Sequence, residues 1–426
     1  MAPVVSATSA NVFIAAVILV LFVAAAAVSA VRKDITRGFD EVAQASYVAE
    51  IQHAGDPWPA FGKLRLLDPR TFEFTGTPNY LNHPPIFYAL LAALGPRLEG
   101  HPSNLLAHRL LDVALAAIGL AALLGLGLCA RFTRPEFYAY AVPIACIPVL
   151  APLAGALDND DLAFLGGAIA TLGVWQALAS GRERWLALAL AGVVAAAWAK
   201  LTGLVLAGGL VVAVAGYLLW RRRLRRTWLV GIAVALLFAA APYLIYLGQY
   251  GEPVPSTPGF YAFMNTEVRA FGWDTLPRMS FPAYVVWFAG QFIANWMPTL
   301  AQRNVTQYAL LGIPAAALAC AAAGVVASLR RLMRRQEAAT DVVVIAGALA
   351  IAVSLVLHVR FSYHFYAATG WQAGPYPRYY LPLAAIVPLA GLSLAAAIKN
   401  PSWRTALLVF LITGPIAFRI FGAPLG

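Results

Sequence analysis

Pro84-Pro85-Ile86-Phe87-Tyr88-Ala89-Leu90-Leu91-Ala92-Ala93-Leu94-Gly95-Pro96-Arg97-Leu98 is apolar but short, and whether it crosses a membrane decides how the whole chain is oriented. A membrane-spanning helix needs about 20 mostly apolar residues to cover roughly 30 Å of hydrocarbon, so these fifteen residues suit a helix lying at the interface. If they do not cross and the N-terminus is cytoplasmic, one side receives the basic loops. These hold Arg131 and Arg134; Arg182 and Arg184; Arg221, Arg222, Arg223, Arg225 and Arg226; Arg330, Arg331, Arg334 and Arg335; and Lys399 with Arg404. Fifteen basic residues then fall in five short cytoplasmic connections, as the positive-inside bias requires. Letting 84–98 cross would invert every later loop and put Arg221 to Arg226 outside.

Working outward, spans are expected near 9–31, 105–129, 137–156, 161–180, 185–200, 201–220, 228–248, 308–329, 341–359, 379–398 and 404–421. The first carries Ala27-Val28-Ser29-Ala30, which resembles a cleavage site. No Lys or Arg precedes Arg32, however, and the apolar run exceeds a signal core, so it is read as a retained span. The expected fold is an all-α polytopic membrane protein of about eleven transmembrane helices, forming one domain over 1–426 with no separate soluble domain. Composition agrees: 61% of residues are hydrophobic, 12% are charged, and the mean hydropathy is +0.73. The net charge of +11 does not indicate nucleic acid, because the basic residues cluster between apolar runs with no basic stripe. Cys129, Cys146 and Cys320 lie within apolar runs at no metal or redox spacing and are read as small core residues.

The long connections then converge on the outer face: 32–104, the short turn 157–160, 249–307 and 360–378. The first two long loops are expected to carry interfacial helices, one at 84–98 and another over Phe281 to Trp296. Structured long loops usually carry function, so the working site is expected on the extracytoplasmic side of a plasma membrane.

The candidate residues all lie on that side. Asp40-Glu41 follows the first span, where a carboxylate can take a proton from an acceptor hydroxyl; the alternative is a helix start capped by Asp40. Asp158, Asp160 and Asp161, with Asn159, form a second acidic site between two spans. Their charge needs a basic partner, a helix N-terminus or a divalent cation; Asp158 and Asp160 have the spacing to hold Mg or Mn against phosphate. The alternative is a cap with two first-turn acids. Lys200 is the one charge in the stretch 185–220 and implies an anionic partner, unless it snorkels to the interface. The Arg378 guanidinium can grip a phosphate bidentately. Arg109 and Asp112, one turn apart, are expected to pair with each other. His83 can contact substrate or cap the short helix, and His358, Arg360 and His364 lack clean metal spacing. No GxGxxG, phosphate-binding loop or serine elbow occurs.

Phe39-Asp40-Glu41, His83-Pro84-Pro85, Asp160 or Asp161, Ala199-Lys200-Leu201-Thr202-Gly203 and Arg378-Tyr379-Tyr380-Leu381-Pro382 resemble, in this order, the motifs of GT-C membrane glycosyltransferases. The branch they resemble holds the protein O-mannosyltransferases and lipid A aminoarabinose transferases, over about residues 9–398. The resemblance implies inverting transfer of a monosaccharide from a polyprenyl-phosphate carrier to an envelope glycan, lipid or protein acceptor. It implies Asp40 as general base, Glu41 as an acceptor-positioning group, and Lys200 and Arg378, with Tyr80 and His83, at the carrier phosphate. Relatives often carry a C-terminal soluble domain that shapes the acceptor site, and metal use varies among them. The alternatives are a transporter or lipid flippase, which would place charges near the midplane in two similar halves, and an oligosaccharide ligase on the same fold.

Overall fold

The computed structural model describes residues 7–295, 312–372 and 376–421; Trp296, the first four residues of the span expected at 308–329, and Pro375 lie outside them. Helices dominate. α1 (Ala7–Arg32) is followed in the first long loop by α2 (Glu41–Ala54), a small antiparallel pair of β1 (Arg65–Leu67) and β2 (Phe74–Pro78), and α3 (Ile86–Leu94). Then come α4 (Leu105–Cys129), α5 (Arg134–Ala145), α6 (Leu150–Ala154), α7 (Asp160–Ser180) and α8 (Trp185–Ala199). Beyond these lie Leu201–Trp220, Arg226–Tyr250, Pro258–Ala270, Phe281–Ala294, Gly312–Met333, Ala339–Thr369, the bent pair Pro377–Leu383 and Ile386–Ala397, and Pro401–Phe421.

The short apolar segment behaves as its length requires. α3 has nine residues, and Phe87, Tyr88 and Leu91 bury it against α2. Tyr47 of α2 stacks on Tyr88 with ring centroids 4.1 Å apart, and Gln44 accepts a 2.7 Å hydrogen bond from the Tyr88 hydroxyl. Helix α2 begins where the sequence offered a helix start at Asp40, whereas the two-stranded sheet and the helix Pro258–Ala270 are additions to what the sequence led us to expect. The final long connection is also more helical than expected, because Ala339–Thr369 runs ten residues past 359.

Eleven spans were expected, and among the described residues eight helices are long and apolar enough to cross, or nine when the bent pair is counted as one. The difference lies in two passes. α5 breaks after Ala145 at a stretch holding Pro148, and α6 resumes for only five residues. α8 has fifteen residues, a rise of roughly 22 Å at about 1.5 Å per residue. Both passes nonetheless connect the same two ends of the bundle. At one end the basic connections meet one another, through Arg225–Glu183, Arg404–Glu136, Arg221–Glu337 and Arg331–Asp341. The start of α1 sits there too, where Asn11 donates 2.9 Å to the Phe132 carbonyl. The long loops gather at the opposite end. The three cysteines are unpaired, and Cys129, the last residue of α4, is exposed rather than in the core.

What sets the position of the site is the seam between α7 and α8. A Cβ added at Gly166 would lie 2.4 Å from the Ala196 backbone, at Gly173 2.5 Å from Ala189, and at Gly192 2.5 Å from Ala170. Small residues let two backbones approach this closely where lipid offers no hydrophobic drive for association. The first residue of α7, Asp160, is thereby brought against Lys200, the residue that follows α8.

Gly192→Val is therefore expected to splay this hairpin and lower stability by about 2 kcal/mol or more, as overpacking against backbone does. Thermal unfolding in detergent checks it, and an unchanged midpoint would remove the seam from this role.

Candidate active site

A cavity of about 1600 Å³ opens at the long-loop end, lined by Asp40, Glu41, Tyr80, His83, Lys200 and Arg378 among others. Asp40 begins α2 but does not cap it. Gly38, Phe39 and Asp40 lie in succession in the left-handed region, with φ of 79°, 64° and 56°. For Phe39 and Asp40 that conformation costs about 1–3 kcal/mol each and persists only where surrounding contacts enforce it. The contacts are present. The Phe39 ring is buried, with Lys33 Nζ 4.6 Å and Arg378 Cζ 5.5 Å from its centroid. The result aims the Asp40 carboxylate into the cavity instead of back at its own helix. There Oδ1 accepts 3.1 Å from the Tyr80 hydroxyl and Oδ2 lies 3.4 Å from Arg378 Nη2. With 36% of its side chain exposed, Asp40 is open to an incoming molecule, whereas its ionic neighbours are nearly closed off.

The resemblance implies an acceptor-positioning role for Glu41; in the structure its carboxylate is engaged by groups of the protein itself. Its side chain is fully buried and accepts from Arg109 Nε (2.7 Å) and Nη2 (2.9 Å), Lys33 Nζ (3.0 Å) and the Leu157 amide (2.9 Å). Arg109 also donates to the carbonyls of Ala30 and Lys33. The expected Arg109–Asp112 pair does not form: Arg109 turns to Glu41, and Asp112 accepts from the Asp158 amide at 3.0 Å. One buried ion pair thus ties the ends of α1, α2, α4 and the turn before α7, and it fixes the residue next to Asp40. Burial lowers the Lys33 pKa, and the Glu41 charge works against that shift.

Behind the cavity wall, the second acidic site is resolved by cations. Asp160 pairs with Lys200 through Oδ1, and its Oδ2 lies 3.6 Å from Arg378 Nε. Asp158 Oδ1 accepts from the Asp160 amide at 2.8 Å, while Oδ2 is 3.9 Å from Arg378 Nη1. Asp161 is buried without an ion pair among the described residues, turned away from the cavity. Asn159, the cap residue of α7, donates instead to the Ala199 carbonyl at 2.9 Å and locks the two helix ends together. The donor set fits a divalent cation poorly, because both candidate carboxylates already face Lys200 or Arg378. No group of three or more His, Cys, Asp or Glu among the described residues has metal-binding geometry.

Lys200 sits in an extended break (φ −165°, ψ 158°) between α8 and the next helix, with its ammonium 4.4 Å from the Tyr379 ring centroid. Arg378 is buried among Phe39, Tyr376 and Tyr379, and its Nε and Nη1 find no hydrogen-bond partner. Distances of 3.6 and 3.9 Å to Asp160 and Asp158 give ion pairing but no hydrogen bonds, so these buried donors face the two carboxylates while Nη2 faces Asp40 at the cavity. His83 contributes a neutral ring. Burial, then the Lys200 charge, pushes its pKa down to about 3, while its carbonyl accepts from Tyr47 and Tyr246 at 3.4 Å. Burial and then the Asp40 charge raise the Tyr80 pKa, so its phenol stays a donor.

The sequence placed Asp40, Tyr80, His83, Lys200 and Arg378 on one face, and the structure brings them to one cavity, with Asp158 and Asp160 directly behind. It gave no role to Phe39 or Tyr379 and missed the Arg109 partnership, and it set aside His358, Arg360 and His364, which also line the cavity.

No protein-family model matches the chain, and no curated protein matches it in sequence. Among solved structures it is similar to the crystal structure of ArnT from Cupriavidus metallidurans bound to undecaprenyl phosphate. The two share 19% identity over 94% of this chain and 70% of that one, with a TM-score of 0.48.

Two predictions follow from the charges. Arg109→Ala would strand Glu41 and cost about 3–5 kcal/mol, the usual effect of breaking a buried pair; chemical or thermal unfolding checks it. The second concerns Asp158, whose pKa is pushed up to about 7, by burial first and then by Asp160. As pH falls from 8 to 6 it loses its charge, so less negative potential competes for Arg378. A dialkyl phosphate, whose single charge does not titrate in this range, should bind more tightly at pH 6 than at pH 8. Asp158→Asn should bind it tightly at both. The same group is ionised in the unfolded chain above about pH 4, so its contribution to stability falls as pH rises from about 4 to 7.

Proposed function

We propose that this protein is a GT-C-type integral-membrane glycosyltransferase that moves a monosaccharide from a polyprenyl-phosphate carrier to an extracytoplasmic acceptor, with inversion. The observation that carries the reading is the convergence of two buried cations, Lys200 and Arg378, and a partly exposed carboxylate, Asp40, on a single cavity. The cavity's other walls support it. Ala25 and Val28 of α1, Val205, and Leu357 and Phe361 of Ala339–Thr369 extend it as an apolar surface suited to a lipid chain. The positive-inside distribution of the opposite end supports placing this site outside the plasma membrane.

In this mechanism the carrier phosphate lies against Arg378 and Lys200. The acceptor hydroxyl gives its proton to Asp40 as its oxygen attacks the anomeric carbon. The bond from that carbon to the phosphate oxygen breaks, and the departing phosphate takes up negative charge. Arg378 and Lys200 stabilise that charge, which develops only as the bond breaks. A single displacement inverts the anomeric centre. Donor phosphate at Arg378 also competes with Asp40 for the guanidinium, which releases the carboxylate to act as base. The bundle's charged site at one end, rather than near the midplane, supports transfer over transport.

The test is transfer from a radiolabelled polyprenyl-phosphate sugar by purified protein. Asp40→Asn should lower turnover by about 10²–10⁴, the usual worth of a general base, while polyprenyl phosphate still binds. Arg378→Lys should weaken that binding, since an ammonium cannot reproduce the planar fork. Unimpaired transfer by Asp40→Asn would exclude it as the base.

A further inference from the structure

One wall of the cavity is not used by this chemistry. It is formed by the helix Pro258–Ala270 and by Trp371, just after the end of Ala339–Thr369, and its composition differs from the cationic wall. The Trp371 indole N–H donates 2.9 Å to Glu267 Oε2, its backbone N–H donates 3.1 Å to Thr369 Oγ1, and its ring meets Phe260 edge to face. Phe263, on the same helix as Glu267, stacks on Tyr80 with centroids 4.4 Å apart and planes 16° from parallel. Tyr80 in turn bonds to Asp40. Phe263, Glu267 and Trp371 all line the cavity and are half-buried.

We propose that Trp371, Phe263 and Glu267 form a carbohydrate subsite, holding a sugar ring against aromatic faces with a ring hydroxyl on the Glu267 carboxylate. Aromatic faces carry partial negative charge and attract the polarised C–H groups of a sugar, and a carboxylate accepts strong hydrogen bonds from hydroxyls. A mainly apolar wall with one or two fixed polar groups is how proteins orient small ligands. An aromatic wall beside a carboxylate also suits an organic cation. Here Lys200, Arg360 and Arg378 line the same cavity and disfavour one, while a neutral polyhydroxylated ring is unaffected. The sugar could arrive on the carrier or as the acceptor, and both have the same chemistry at this wall.

Gly259 sets the wall's position. A Cβ there would lie 2.5 Å from the Asn79 carbonyl oxygen, so Gly259→Ala must displace the start of the helix that carries Phe263 and Glu267. The inference takes the sugar's fate from the transferase reading, but sugar binding can be measured without it.

The experiment uses the full chain in nanodiscs. Saturation-transfer NMR reads the binding of methyl β-glucoside, methyl β-galactoside and methyl α-mannoside. In parallel, affinities are measured for polyprenyl phosphate with and without an attached sugar. Trp371→Ala and Glu267→Gln should leave bare polyprenyl phosphate binding unchanged. If the subsite takes the acceptor, glycoside binding falls about tenfold or more. If it takes the donor sugar, the preference for the sugar-bearing carrier is lost instead. Gly259→Ala should act in the same direction. Trp371→Phe, which keeps the ring and removes the N–H, should have a smaller effect and guards against a misfolded alanine variant. Unchanged glycoside binding and unchanged carrier preference in Trp371→Ala would overturn the subsite, as would equal loss of bare-carrier binding in both Trp371 variants. Wild-type protein that binds glycosides but not polyprenyl phosphate would sink the transferase reading and keep the subsite.

Discussion

A guanidinium buried under a membrane protein's surface is tolerable only when carboxylates surround it, and for Arg378 they come from two separate parts of the chain, both far from it in sequence. Asp40 follows the first helix, Asp158 and Asp160 lie at the start of α7, and Arg378 itself opens the bent pair near the C-terminal end. Removing two charges from water costs several kcal/mol each unless they meet. The demand for that meeting is what brings α2, the α7–α8 hairpin and the segment Pro377–Leu383 together. Lys200 adds a second cation to the same carboxylates, so the wall can carry positive charge toward the cavity while staying nearly balanced behind it.

Much of this was legible in the sequence because charge is scarce in it. In a chain with 12% charged residues, an isolated Lys200 or a run such as Asp158-Asn159-Asp160-Asp161 demands a partner, and the partners proved to be one another. The refusal of 84–98 as a span placed these residues at one end, and α3 is as short as that argument required. What sequence could not show were partnerships set by tertiary contact. Arg109 has Asp112 one turn away, the ordinary helical pairing distance, yet it bonds to Glu41, 68 positions earlier. Nearness along a helix is a weak guide where the competing partner is fully buried and needs a bidentate donor. The β1–β2 pair, of three and five residues, is too short to leave a periodic signal. The aromatic wall at Trp371 was invisible for another reason: its parts come from two segments about 100 residues apart.

The span count shows the same limit from the other side. Hydropathy finds apolar segments, and each expected segment contains helix where it is described, with breaks in 137–156 and 379–398. It does not tell whether a segment reaches from one face to the other. α5 stops at a proline-containing break and α8 is short, and both make up their passes by packing on neighbours rather than by length. The glycine seam between α7 and α8 was the available clue, since Gly166, Gly173 and Gly192 occupy one close contact line.

The left-handed run at Gly38, Phe39 and Asp40 has a consequence for how this protein can change over time. A glycine at position 40 would relieve the left-handed backbone strain there, whereas at position 39 it would also forfeit the buried Phe39 ring, so screening for a hardier protein would favour it only at position 40. Yet the side chain given up there is the Asp40 carboxylate, which the strained backbone aims toward Tyr80 and Arg378. At position 40 robustness and function are opposed. A lineage, or an engineer, selecting for one there gives up some of the other.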